Sequence, residues 1–143
     1  LRWLLLCPLL DRVSQFLFTF PNGDLFWSIN GIAAPDLTLI YIPESCHHDI
    51  PIHLDYMHPP TTTTSTTSDS MQLSNPRVLV VLEKGAQANI IEEFSASQEN
   101  ENYSYWSNVA FEAVIGEGAK LRHSYIQTQS FRSAHIKWSS IRQ

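Results

Sequence analysis

The sequence predicts an all-β chain wound as a partial β-solenoid, with a short helical segment at its N-terminus. Three observations predict it. Strand-like runs dominate from Leu25 onward, and a strand, Gly-Ala, strand unit recurs along the chain. No later stretch keeps apolar residues at three-and-four spacing long enough for a confident amphipathic helix.

Residues 1–10 are mostly apolar, and Asp11 and Arg12 end the run. It is shorter than the roughly 20 residues a bilayer span needs. It also lacks an initiating Met, a basic region beyond Arg2 and a small-residue cleavage site, so a buried helical segment is expected rather than a signal peptide. Residues 1–22 are therefore set apart, and 23–143 are read as the partial solenoid core. Pro21-Asn22-Gly23-Asp24 offers one turn. Leu37-Thr38-Leu39-Ile40-Tyr41-Ile42 is rich in β-branched and aromatic residues and closes at Pro43, as a strand does. Ile52-His53-Leu54-Asp55-Tyr56 alternates apolar and polar, as a half-buried strand should. Residues 59–70 are nearly all Thr, Ser and Pro and cannot build a core. They read as a surface loop or insertion, with an O-glycosylated stalk as the alternative.

Two later segments match each other. Residues 80–90 carry Glu83-Lys84-Gly85-Ala86 between two strand-like runs, and residues 113–123 carry Gly116-Glu117-Gly118-Ala119 in the same place. A fainter copy over residues 40–46 has Ser45 where the others have glycine. Copies about 30 to 40 residues apart fall in the range of solenoid repeats. Gly85 and Gly118 sit where the chain must turn sharply, and glycine adopts positive φ there at little cost. One such unit cannot cover its own apolar face, whereas stacked units can. A β-sandwich of hairpins is the competing architecture, but Asn-Gly or Asp-Gly turns are missing between most of the strands.

Nine Lys and Arg face fourteen Asp and Glu, for a formal net charge of −5. No basic stripe exists to neutralise phosphates, so a general nucleic-acid binder is excluded. Lys120-Leu121-Arg122-His123 is the nearest thing to a basic run and reads as a solvated strand face. Cys7 and Cys46 make neither a disulfide framework nor paired metal spacing, which places the chain in a reducing compartment. Cys46-His47-His48-Asp49, with His53 and His58 nearby, contains metal-ligating residue types. Zinc sites take ligands in separated pairs, so a polar turn between strands is expected here. Glu92 and Glu93, near Asn89, face opposite ways on a strand and cannot flank one bond; both are expected to be solvated. His123, Gln127, His135 and Trp138 could line a groove in the last turns, while Trp106 and Trp138 are expected to pack. No nucleophile elbow, phosphate-cradling loop or zinc-protease motif occurs. No residue is assigned a catalytic, cofactor-binding or metal-ligating role.

Seven phrases then fall in one order. They are Gly23-Asp24-Leu25-Phe26-Trp27-Ser28-Ile29-Asn30-Gly31-Ile32, Pro35-Asp36-Leu37, Tyr41-Ile42-Pro43-Glu44 and Ser74-Asn75-Pro76-Arg77-Val78. Glu92-Glu93-Phe94, His123-Ser124-Tyr125-Ile126-Gln127 and Ser133-Ala134-His135-Ile136-Lys137-Trp138 follow. Together they resemble the SufB/SufD family of iron–sulfur cluster assembly scaffolds, on the SufD side and most like its plant plastid form. The resemblance covers residues 23–143 apart from the Thr-rich loop. It implies a right-handed parallel β-helix and a non-catalytic scaffold subunit. It also implies a heteromeric complex with a SufB-like scaffold and a SufC-like ABC-type ATPase, with no nucleic acid and no membrane involved. The iron–sulfur cluster would be assembled transiently by the complex and no cofactor bound by this chain. The location implied is the plastid stroma in a plant, or the cytoplasm in a bacterium.

The family's Cys-x-His-Gly-like stretch does not occur in this sequence. Gln127 falls where SufB-like relatives carry a polar residue of their sulfur-transfer tunnel, and Gln129 stands where an aromatic residue is expected. The start at Leu1 reads as a piece of a longer protein or an inactive remnant, and an isolated fragment is expected to be poorly soluble. Two further alternatives are a carbohydrate-active β-helix enzyme and a metal module built on Cys46, His47, His48 and His53. The enzyme would gather carboxylates and basic residues in a cleft, yet Arg77, Lys84, Lys120 and Arg122 do not recur at one repeat position.

Overall fold

A computed structural model describes residues 25–33, 36–58, 72–96 and 104–143. The N-terminal segment, the turn at residues 21–24 and the Thr-rich loop lie outside the described residues. Among the described residues a nine-residue helix, α1 (Leu25–Ala33), is followed by eight strands. These are β1 (Leu37–Ile42), β2 (His47–His58), β3 (Gln72–Ser74), β4 (Arg77–Leu82), β5 (Gln87–Ala96), β6 (Tyr105–Ile115), β7 (Lys120–Thr128) and β8 (Ser133–Arg142).

Every strand pairing among the described residues is parallel. The first sheet runs β1, β4, β6, β8, with β3 lying along the same edge of β6 as β4. The second runs β2, β5, β7. The chain thus alternates between sheets, and each new strand pairs with its equivalent from the previous pass. Among the described residues the protein is mostly β-strand, in parallel sheets, with one short helix.

The matched segments of the sequence are spatial neighbours. Val80 pairs with Ala113 and Ile40 with Val80, which is the alignment of the sequence repeats. The three turns stack as well. Cys46 N–H donates to Pro43 O at 3.1 Å, Ala86 N–H to Glu83 O at 3.0 Å and Ala119 N–H to Gly116 O at 3.0 Å. Ser45, Gly85 and Gly118 all take positive φ, at 58°, 67° and 67°, so Ser45 does adopt the glycine's conformation. Gly116 has a different reason to be glycine. A Cβ there would meet the backbone of Glu83 and Lys84 at 2.8 Å, because the third turn lies directly on the second.

The main core fills the space between the sheets. Ile42, Val78, Val80, Leu82, Phe111 and Ala113 from the first sheet meet Ala88 and Ile90 of the second, with Ala86 of the turn between β4 and β5. Fully burying a Val, Leu, Ile or Phe side chain contributes about 1.5–3 kcal/mol. On the outward side of the first sheet, Leu79 and Val81 form a second buried cluster with Leu39, Tyr41 and Val114.

Two expectations are corrected here. Leu25–Ala33 is helical, not the start of the strand region. Tertiary packing selects that helix: Phe26 meets Trp106 edge-on at 5.9 Å and Trp27 packs on Trp138 at 4.3 Å. Asn30 donates to the carbonyls of Pro76 and Asn108 (3.2 and 2.8 Å), and Asn108 donates back to Phe26 O at 2.9 Å. The second correction concerns His47, His48 and Asp49. They begin β2 rather than forming a turn, and the register shift between His48 and Ile52 takes up the irregularity.

Candidate functional site

The inward faces of the later strands become polar. In the register of the second sheet, Glu92 pairs with Tyr125 and Phe94 with Gln127, and alternation turns His123, Tyr125 and Gln127 toward the same side as Glu92. From the first sheet, β8 brings His135 and Lys137 across the gap.

Glu92 is the centre of this group and is fully buried. Its Oε2 lies 2.7 Å from His123 Nε2 and accepts a hydrogen bond from Lys137 Nζ, and its Oε1 accepts from Tyr56 O–H at 3.4 Å. Burial pulls the Glu92 carboxyl upward, but the hydrogen bonds and charges of His123 and Lys137 outweigh it, and the net is below the usual carboxylate range. Burial holds Lys137 below the ordinary lysine range, with Glu92 pulling the other way. Tyr56 and Tyr125 are both pushed up, by burial first and then by the Glu92 charge.

Aromatic rings wall the cluster. Tyr56 stacks on Phe94 at 4.4 Å and His123 on Phe111 at 4.3 Å. Lys137 Nζ sits 4.5 Å from the Tyr125 ring centre and 5.1 Å from that of Phe111, so rings share its charge with Glu92. At the rim, Tyr125 O–H and His135 Nε2 are 2.5 Å apart, and Tyr125 O–H donates to Gln127 Oε1 at 3.3 Å. Gln127 Nε2 donates in turn to Gln129 Oε1 at 3.3 Å.

A second buried carboxylate, Glu112, lies on the opposite face of the first sheet, where Arg77 Nη2 donates to its two oxygens at 3.5 and 3.4 Å. Arg77 also lies over the Trp27 ring at 4.6 Å. Burial raises the Glu112 carboxyl, with Arg77 and Arg142 opposing.

The structure thus gathers His123, Gln127 and His135 and sends Trp138 to the other face, under α1. Glu92 is a correction: it is buried rather than solvated, because its partners arrive from β2, β7 and β8. Glu93 does face outward, 2.9 Å from His53. Cys46, His47, His48 and Asp49 are exposed, and among the described residues no group of three or more His, Cys, Asp or Glu could hold a metal ion. Lys137 was missed by sequence reasoning. Its signal was a lysine at an inward position of an alternating strand, matched to a glutamate at an inward position of another. The cluster anchors three strands of one sheet to a strand of the other, and all of Glu92's nearby donors are engaged.

The SUF system FeS cluster assembly, SufBD core domain model matches residues 63–143. The chain belongs to the SufBD family. Two relatives extend the match toward the N-terminus. The chain is 47% identical over 135 residues to "Protein ABCI7, chloroplastic" of Arabidopsis thaliana, covering 94% of this chain and 28% of that protein. It is 30% identical over 139 residues to "Iron-sulfur cluster assembly SufBD family protein slr0076" of Synechocystis sp. (strain ATCC 27184 / PCC 6803 / Kazusa), covering 93% of this chain and 29% of that one. The chain therefore spans under a third of either relative's length. No solved structure matches it.

Proposed function

We propose that this chain is part of a SufD-like, non-catalytic scaffold, and that its strands wind as a right-handed parallel β-helix. The observation that carries the reading is the alternation of strands between two parallel sheets, in a chain whose family assembles iron–sulfur clusters. Right-handed crossing is the rule for parallel strands joined within one sheet, which supports the handedness. A stack of this kind makes a stiff platform. Its buried carboxylates lie apart, Glu92 between the sheets and Glu112 on the outward side of the first sheet, so they do not form the pair that would flank a glycosidic bond. In this reading the cluster is cargo of the assembled complex rather than a resident cofactor. SufB-like and SufC-like subunits are the partners. The chloroplastic relative supports a plastid location for a plant protein.

The test is co-expression of the full-length protein with SufB-like and SufC-like subunits, followed by size-exclusion chromatography. Co-elution in one heteromeric complex is expected, with no ATP hydrolysis by the SufD-like subunit alone. Separate elution under all nucleotide conditions would overturn the scaffold reading.

A further inference from the structure

The outward face of the second sheet holds an opening that lies apart from the Glu92 cluster. It is a shallow trough of about 340 Å³, lined by His48, Asp49, Gln87, Ala88, Asn89, Lys120, Leu121 and Arg122. Lys120 and Arg122 are two residues apart on β7, both exposed, so their side chains stand on one face roughly 6.6 Å apart along the strand. Register sets a carboxamide beside each cation: Gln87 pairs with Lys120 and Asn89 with Arg122.

These two cations are unlike the others. Arg77, Lys84 and Lys137 are engaged by Glu112, Glu117 and Glu92, and Arg132 and Arg142 also have partners. Among the described residues, Lys120 and Arg122 are the cations without one, in a chain whose formal net charge is −5. Among the described residues Asp49 is the single carboxylate in the lining, so the trough keeps a surplus of positive charge. Asn89 Nδ2 donates to Asp49 O at 3.4 Å, which fixes that carboxamide at the wall.

We propose that this trough seats an extended acidic segment of a partner protein, with carboxylates at alternate positions. An extended strand repeats its side chains every two residues, at the same spacing as Lys120 and Arg122. Each carboxylate meets one cation and one carboxamide, and Arg122 can hold its carboxylate through two parallel N–H donors. The trough is open and shallow, which suits a segment laid across a surface better than an enclosed small anion.

The test is calorimetric titration of the full-length protein with a peptide of alternating Asp and Thr, its Asn-for-Asp counterpart, and inorganic phosphate alone. Binding of the Asp peptide is expected, weakening as salt rises, with no binding of the Asn peptide. Lys120→Gln with Arg122→Gln should weaken binding at least about tenfold, and Arg122→Lys by a smaller factor. Lys84→Gln, an exposed lysine outside the trough, should leave it unchanged. Equal binding of both peptides, an undiminished affinity in the folded double variant, or phosphate binding as tightly as the Asp peptide would each overturn the proposal. The peptide and salt comparisons on the unaltered chain decide the matter even where a variant fails to fold.

Discussion

Glu92 and Glu112 are both buried carboxylates with a cation beside them, yet their acidities move in opposite directions. Glu92 lies between the sheets and has three donors around it, His123 at 2.7 Å, Lys137, and Tyr56 at 3.4 Å. Glu112 lies on the outward side of the first sheet and has Arg77 at the edge of hydrogen-bonding distance. Burial pushes both up. The supply of close donors decides the direction of the net shift. The surroundings between the sheets therefore favour the ionised form of Glu92, while burial on the outward side disfavours that of Glu112.

The largest effect should come from removing the cation of the inner group. Lys137→Met leaves Glu92 buried beside a weaker set of donors and should cost about 3–5 kcal/mol in urea unfolding. Pairing it with Glu92→Leu should recover most of that loss, since replacing both members of a buried ion pair is often close to neutral. If the double variant is no better than the single one, the inner group acts through packing rather than charge.

The outer group should respond less. Arg77→Leu should cost about 1–3 kcal/mol, because Arg77 reaches Glu112 only through long contacts of 3.5 and 3.4 Å. A cost as large as that of Lys137→Met would mean the two carboxylates are equivalent after all.

The pH dependence of unfolding sharpens the contrast by its sign. Glu92 has a folded-state acidity shifted below the ordinary 4.5, so it contributes stability above that value and loses it as pH falls through its lowered value. Glu112 is shifted above 4.5, so its contribution is unfavourable at neutral pH and recovers as pH falls through its raised value. Glu92→Gln should thus become more damaging as pH rises from 3 to 7, and Glu112→Gln less damaging. Parallel slopes would refute the assignment. The smallest effect is expected next door, where Glu93→Gln breaks an exposed contact with His53 and should change stability by under about 1 kcal/mol.

Sequence reading reached different depths in these regions. The strand at Leu37–Ile42 and the equivalence of Ser45, Gly85 and Gly118 were legible, because alternation and turn chemistry are local. Helix α1 was not. Its sequence includes Gly31 and the β-branched Ile29 and Ile32, and it is stabilised by Trp106, Trp138 and Asn108, which lie far along the chain. The opposed faces of Glu92 and Glu93 followed from strand geometry. The burial of Glu92 did not, since Lys137 lies 45 residues away on the other sheet.

The pairing offsets carry a further consequence. Ile40 pairs with Val80, Val80 with Ala113 and Tyr105 with Ser133, so successive passes consume fewer residues while each still moves the sheet over by one strand. Displacement across the sheet therefore counts passes rather than amino acids, at roughly 4.8 Å apiece. Residues added or lost between strands would leave every later strand at the same height. Contour length can vary in such a chain without the spacing of its surfaces drifting.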